Sequence, residues 1–283
     1  MRRLEIVYWC FLFAHRFLSF RFTSPSLLLV ASNNLMGSIP SEIQYLSALD
    51  SLDLSDNSLV GSIPEYLRNL VHLTHLDLST NRLTGEINPL YWLGKEWTQL
   101  EFLDLSNNLL DLDRSDQSHN RRSCFGEDTR LTTLRLGGNT NANNINRNDD
   151  DDKTMVSIPN EIRCLTNLRE LSLDNSNIGG RIPAWIFHEL DKLQFLDLSH
   201  NQLTGSVRGA FPSAGVYPLP LQDLQSLLLH DNELTGTLPD SVGFMPNLSE
   251  CFLEIRNGRV RVRTILHSIV LHIVQNLSHQ SIS

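Results

Sequence analysis

The residues in this 283-residue chain that could carry covalent or metal chemistry are scattered. Four cysteines, Cys10, Cys124, Cys164 and Cys251, fall far apart, with no C-x-x-C and no His–Cys ligand spacing. Cys251 occupies a leucine place in a repeated pattern and reads as a buried thiol. The histidines stand singly: His72 and His75 flank one apolar alternation, while His188 and His200 fall in turn-like stretches. The densest carboxylate run, Asp149–Asp152 before Lys153, lacks the alternating oxygen ligands and turn glycine of a calcium loop, so no metal is expected there. There is no Gly-rich phosphate loop, kinase catalytic-loop triplet or G-x-S-x-G elbow. Nucleophile, base and orienting group cannot be assembled from such a set, so neither catalysis nor a cofactor is expected.

What remains is the chemistry of recognition. Asp53, Asp77, Asp104 and Asp197 each stand between two leucines of an L-x-L tract. Equivalent outward positions hold His75, Phe102, Arg135, Glu170 and Phe195. A carboxylate column beside aromatic rings could hold a basic, partly apolar peptide, with charge steering the encounter and rings anchoring it. The competing reading is a solvated strand face, because exposed charges contribute little energy.

These columns exist only if the tracts stack. Leu49–Pro64 recurs 24 residues later as Leu73–Ile87, and the pattern returns in eight units of unequal quality. The L-x-L core alternates, which makes a short strand with leucines inward. One unit cannot bury its leucines alone, whereas stacked units bury them against each other and pair their strands in parallel. Asn33, Asn57, Asn81, Asn108, Asn139, Asn201 and Asn232 close the turns, with Ser176 in that place in the sixth unit. Their amides can satisfy backbone groups that would otherwise be buried unpaired. Glycines such as Gly61 and Gly85 suit a tight turn. The apolar pairs Leu67 and Leu70, Ile162 and Leu165, and Val242 and Met245 predict short helical turns on the far side.

The pattern L-x-x-L-x-L-x-x-N-x-L-x-G-x-I-P resembles the leucine-rich repeat family, and its Gly-x-Ile-Pro half resembles the plant-type subclass, over roughly residues 26–256. That resemblance implies an α/β fold: a right-handed solenoid with a parallel β-sheet on its concave side and short helical or irregular convex segments. It also implies non-enzymatic recognition of a protein or peptide on the concave face, as in receptor-like ectodomains and secreted inhibitors. An intracellular scaffold and a fragment of a receptor-like kinase are the alternatives. The paired-cysteine cap that often precedes plant-type repeats is absent from this sequence.

Three segments follow. Residues 1–24 pair Met1-Arg2-Arg3 with the apolar run Ile6–Ala14, which reads as a signal, an anchor or a helix capping the first repeat. Residues 25–256 are the solenoid, with insertions at 111–130, 140–156 and 208–223 that leave after the strand-and-Asn part. Residues 257–283 begin with the alternation Arg259–Arg263 and continue with Val262, Ile265, Leu266, Ile269, Val270, Ile273, Val274 and Leu277 at helical spacing. They predict an amphipathic cap over the last repeat, a helix at a membrane surface, or a disordered tail. The net charge of −9 argues against general nucleic-acid binding, which needs a basic surface. No segment is long and apolar enough to span a bilayer, so membrane association would come through residues 1–24 or a partner. Asn247 and Asn276 head glycosylation triplets. The expected location is extracellular or at the plasma membrane, with the cytoplasm as the alternative.

Overall fold

The computed structural model describes residues 26–87, 90, 92–112, 129–139, 156–211, 221–236, 241–242, 245–255 and 260–262. Residues 1–24, Cys10, Cys124, the middles of the three expected insertions, the stretch after Val262 and Asn276 lie outside them. The chain divides into two compact units, residues 1–151 and 152–283.

The first unit alternates two kinds of strand: β1 (Leu27–Leu29), β2 (Met36–Gly37), β3 (Ser51–Asp53), β4 (Ser58–Ser62), β5 (His75–Asp77), β6 (Arg82–Glu86), β7 (Phe102–Asp104), β8 (Leu109–Asp111) and β9 (Thr133–Arg135). The odd-numbered strands form one parallel sheet in which Leu28, Leu52, Leu76, Leu103 and Leu134 stand in register. All but the first of these leucines are fully buried. Their neighbours along each strand point the other way, which is the period-two pattern expected of L-x-L.

The even-numbered strands form a second parallel ladder. The sequence gives this segment only as a turn. The reason it pairs is local: Gly85, at φ 85°, sits inside β6 in a conformation that favours glycine and lets the chain bend without leaving the ladder. Ile-Pro then ends the strand. Pro40 and Pro64 each begin a 3-10 turn, Ser41–Tyr45 and Glu65–Asn69, whose Ile43 and Leu67 return to the core. Proline fits there because its missing N–H would have no partner at a helix start.

The second unit repeats the plan with β10 (Glu170–Ser172), β11 (Gly179–Arg181), β12 (Phe195–Asp197), β13 (Gln202–Ser206), β14 (Ser226–Leu228), β15 (Glu233–Thr235), β16 (Glu250–Ile255) and β17 (Val260–Val262). β10, β12, β14 and β16 are parallel, and β11, β13 and β15 make the second ladder. Two short helices, α1 (Trp185–Glu189) and α2 (Val207–Ala210), join a 3-10 turn at Asn160–Cys164. α2 and Phe211 occupy the start of the expected insertion at 208–223, because Val207 and Ala210 are core residues and Phe211 stacks on Phe187 at 4.0 Å. β17 runs antiparallel to β16. Val262 therefore lies in a strand, not at the head of the helical stripe expected from its spacing. Cys251 fills the leucine place beside Leu227 and is fully buried, which pushes its thiol up to about 11. Cys164 is disulfide-bonded.

Asparagine ties each repeat to the one before it. Asn81 Oδ1 accepts from the Leu59 N–H of the preceding repeat at 3.0 Å, while its Nδ2 donates to the carbonyls of Leu54, Leu78 and Ser79 at 3.0–3.1 Å. Asn57, Asn108 and Asn139 do the same in the first unit. Asn201 and Asn232 do so in the second. Asn33 is exposed and, among the described residues, donates to the carbonyls of Val30 and Ala31 in its own repeat. Ser176, in the asparagine place, donates its hydroxyl to the Asp174 carbonyl at 2.9 Å, and its N–H donates to Asn201 Oδ1 of the next repeat at 3.0 Å. Replacing Asn81 by Ala strands a buried N–H and several carbonyls, and should lower unfolding stability by roughly 2–4 kcal/mol. Asn33→Ala should cost under about 1 kcal/mol. Urea unfolding of the two variants compares them, and equal losses would contradict the ladder as the stabilising link.

Candidate recognition face

The register of the first unit turns single outward residues into two columns. One holds Leu27, Ser51, His75, Phe102 and Thr133; the other holds Leu29, Asp53, Asp77, Asp104 and Arg135. Six of the expected site residues, Asp53, His75, Asp77, Phe102, Asp104 and Arg135, thus share one continuous strand face. Leu27 and Leu29, 55% and 59% exposed, extend that face with apolar surface. Sequence reasoning passed over them, although the run Leu27–Leu29 places two leucines at outward positions.

The aspartates are only partly available to a ligand. In Asp53, Asp77 and Asp104, Oδ1 accepts from the backbone N–H and the hydroxyl of the serine two residues on, at 2.9 and 2.6 Å. The recurrent Leu-Asp-Leu-Ser wording therefore builds a small local turn as the chain leaves each strand. Asp104 is buried, and its Oδ2 accepts from Arg135 at 3.4 Å. Asp53 and Asp77 keep Oδ2 without a hydrogen bond among the described residues. Burial raises the pKa of Asp77 above 3.8, the charges of Asp104 and Asp53 push it further up, and the Ser79 bonds oppose both.

Aromatic stacking makes the face a platform. His75 and Phe102 stack with centroids 4.1 Å apart and planes 8° from parallel. The Arg135 guanidinium lies 5.5 Å from the Phe102 centroid, within cation–π range. Adjacent strands are spaced to allow such contact, since directly paired side chains lie about 4.8 Å apart in a parallel sheet.

The second unit presents Glu170, Phe195, Ser226 and Glu250 in one column and Ser172, Asp197, Leu228 and Phe252 in the other. The Ser226 hydroxyl donates to Glu250 at 2.8 Å. Asp197 repeats the aspartate–serine turn with Ser199. Its pKa is raised by burial and by Asp174, against the Ser199 bonds and His230. Phe252, next to Cys251 in the degenerate last repeat, joins that column without having been among the expected site residues. Asn247 is exposed, and its amide donates to the Gln222 carbonyl at 2.8 Å.

The Leucine Rich Repeat family profile matches residues 48–70, 72–92, 167–188, 192–214 and 223–245. With the asparagine ladder and the parallel strands in register, the assignment is direct. These segments are leucine-rich repeats of the plant type. Receptor-like protein 18 of Arabidopsis thaliana is 30% identical over 239 residues, 78% of this chain and 28% of that protein. Among solved structures, the ectodomain of the Arabidopsis receptor kinase HAESA with a peptide hormone ligand matches with a TM-score of 0.59 and 28% identity, over 80% of this chain and 33% of that one. The plant peptide hormone receptor RGFR1 in complex with RGF2 matches with a TM-score of 0.57 and 29% identity, over 80% and 31%. This leucine-rich-repeat chain spans 8% to 28% of the length of the curated relatives it matches. No helix among its described residues is long and apolar enough to cross a membrane.

The raised pKa of Asp77 fixes the sign of a pH effect. A carboxyl that binds its proton more tightly folded than unfolded loses stability as the pH rises from the unfolded value through the folded one. Asp77→Asn keeps an oxygen to accept both Ser79 bonds and removes the charge. The variant should therefore gain on the native chain as the pH rises from about 3.8, reaching a plateau above the folded pKa. Urea unfolding between pH 4 and 7 measures it, and a stability difference that does not change with pH would contradict this assignment.

Proposed function

We propose that this leucine-rich-repeat chain recognises a peptide or protein through the strand face of its first unit, without catalysis. The observation that carries this reading is the stacked His75–Phe102 pair under Arg135, edged by the unspent Oδ2 atoms of Asp53 and Asp77. Flat aromatic surface anchors a ligand at small entropic cost, and the neighbouring carboxylates select for positive charge. Leu27 and Leu29 supply apolar contact at one end. The preferred ligand is an extended, basic and partly apolar peptide. Asp104 and Arg135 serve each other first, so they shape the face more than they bind. Glu170, Phe195 and Asp197 form a second face that contributes separately.

A peptide ligand is supported by the likeness to HAESA in complex with a peptide hormone ligand and to the plant peptide hormone receptor RGFR1 in complex with RGF2. An extracellular or plasma-membrane location agrees with the disulfide at Cys164, a bond that persists in oxidising compartments, and with the exposed acceptor Asn247. Under this reading residues 1–24 direct export, and signalling passes through a partner or a further part of the protein.

The test is binding of immobilised synthetic peptides of about a dozen residues, long enough to cross several strands. One set combines Lys or Arg with Leu or Phe, and the other replaces the basic residues by Glu. The native chain should prefer the basic set. Asp53→Lys with Asp77→Lys, and separately Phe102→Ala, should each weaken binding at least about tenfold. No preference between the sets, or an unchanged Kd in both variants, would defeat the reading.

A further inference from the structure

The two histidines that sequence spacing leaves apart meet where neighbouring repeats stack. His200 follows β12, and His230 and Asp231 follow β14. Register brings these turns side by side: the His200 N–H donates to the His230 carbonyl at 3.0 Å, and the Asn201 N–H donates to the Asp231 carbonyl at 3.1 Å. Asn232 holds the same turn from below through the carbonyls of Leu198 and His230. His200 and Asp231 occupy equivalent places, both in the left-handed region at φ 54° and 52°. The backbone under the cluster is therefore fixed by the repeat ladder before any ligand arrives.

One ring nitrogen from each histidine and one Asp231 carboxylate oxygen lie within 4.8 Å of one another. His200 Nδ1 is 3.2 Å from Asp231 Oδ2, and the two imidazoles meet edge to face at 4.9 Å. His230 is half-buried against Phe252, with its Nδ1 enclosed and lacking a hydrogen-bond partner. An enclosed imidazole nitrogen without a partner is unusual in a folded protein. The Asp197 carboxylate, which feels the charge of His230, adds negative potential beside the cluster.

We propose that His200, His230 and Asp231 form a binding site for a divalent transition-metal ion of the Zn2+ class. Two imidazoles and one carboxylate suit Zn2+, Cu2+ or Ni2+, whereas Ca2+ and Mg2+ prefer oxygen ligands throughout. Three protein ligands leave a position for water or for a donor atom of an incoming molecule. At metal–ligand distances of about 2.0–2.2 Å, tetrahedral ligand atoms stand about 3.3–3.5 Å apart. The triangle must therefore tighten, and the exposed side chains of His200 and Asp231 can rotate inward over a fixed backbone. The site does not depend on the peptide-binding face, and it can be tested without a peptide.

The experiment uses the full chain, freed of metal by a chelator and titrated with Zn2+ in a calorimeter. A parallel sample with one equivalent of Cu2+ gives the coordinating atoms by electron paramagnetic resonance. The native chain should bind one Zn2+ with a Kd of about 10 µM or tighter. Its Cu2+ spectrum should carry the splitting of two nitrogens. The double variant H200N/D231N keeps side chains that tolerate the left-handed turn, so the fold should survive. It should lose affinity at least about tenfold, with an unchanged circular dichroism spectrum. Binding of equal strength in the double variant would place the metal on other histidines, and no binding by the native chain would end the proposal.

Discussion

A repeat protein without a central core needs something to lock each layer onto the last, and here it is the side-chain amide of asparagine. A buried leucine stack is slippery by itself: apolar contact is non-directional and would tolerate a shifted register. Asn57, Asn81, Asn108 and Asn139 remove that freedom in the first unit. Each closes its own turn and reaches back to the neighbouring repeat through both its oxygen and its nitrogen. An amide can do this because it offers two donors and an acceptor of fixed geometry in one small group. Exposed Asn33 is where the link is weaker.

Function depends on that lock because register converts sequence position into surface position. Leu52, Leu76 and Leu103 are held opposite one another, so the residues between leucines fall into columns. His75 and Phe102 stack only for this reason, although the repeats that carry them differ in length. The same lock brings His200 beside Asp231 across a repeat lengthened by α2 and the residues after it. The ladder is thus the element that allows insertions to vary while the strand face keeps its geometry. Serine plays a smaller related part: by bonding to one oxygen of each aspartate, Ser55, Ser79 and Ser106 hold the carboxylates in fixed orientation, and the second oxygen of Asp53 and Asp77 has no hydrogen bond among the described residues.

Most of the fold is legible in the sequence because its physical cause is periodic. L-x-L spacing states the strand and its buried face, and asparagine at a constant offset states the turn. The second ladder is not legible, because Gly-x-Ile-Pro has the composition of a turn and only pairing with a neighbour makes it a strand. Val262 misleads for the opposite reason: its apolar spacing fits a helix, and antiparallel pairing with β16 takes it into a strand. The candidate face is legible as a list of outward residues but not as a site. That Asp104 is occupied by Arg135, or that Leu27 and Leu29 join the face, follows from side-chain reach and burial. The histidine cluster is hidden for a similar reason, since single histidines in turns carry no signal until two turns are placed in register.

Under the proposed function the first unit's strand face, and not its second ladder, meets the ligand. A photo-crosslinking residue placed at His75, in protein expressed by the cells that naturally make it, tests this most directly. The same residue at Val60 in β4, an exposed position on the second ladder, is the control. Illumination should yield a discrete peptide or protein adduct from position 75 and none from position 60. Equal adducts from both positions, or an adduct from position 60 alone, would contradict the claim that this face is the recognition surface.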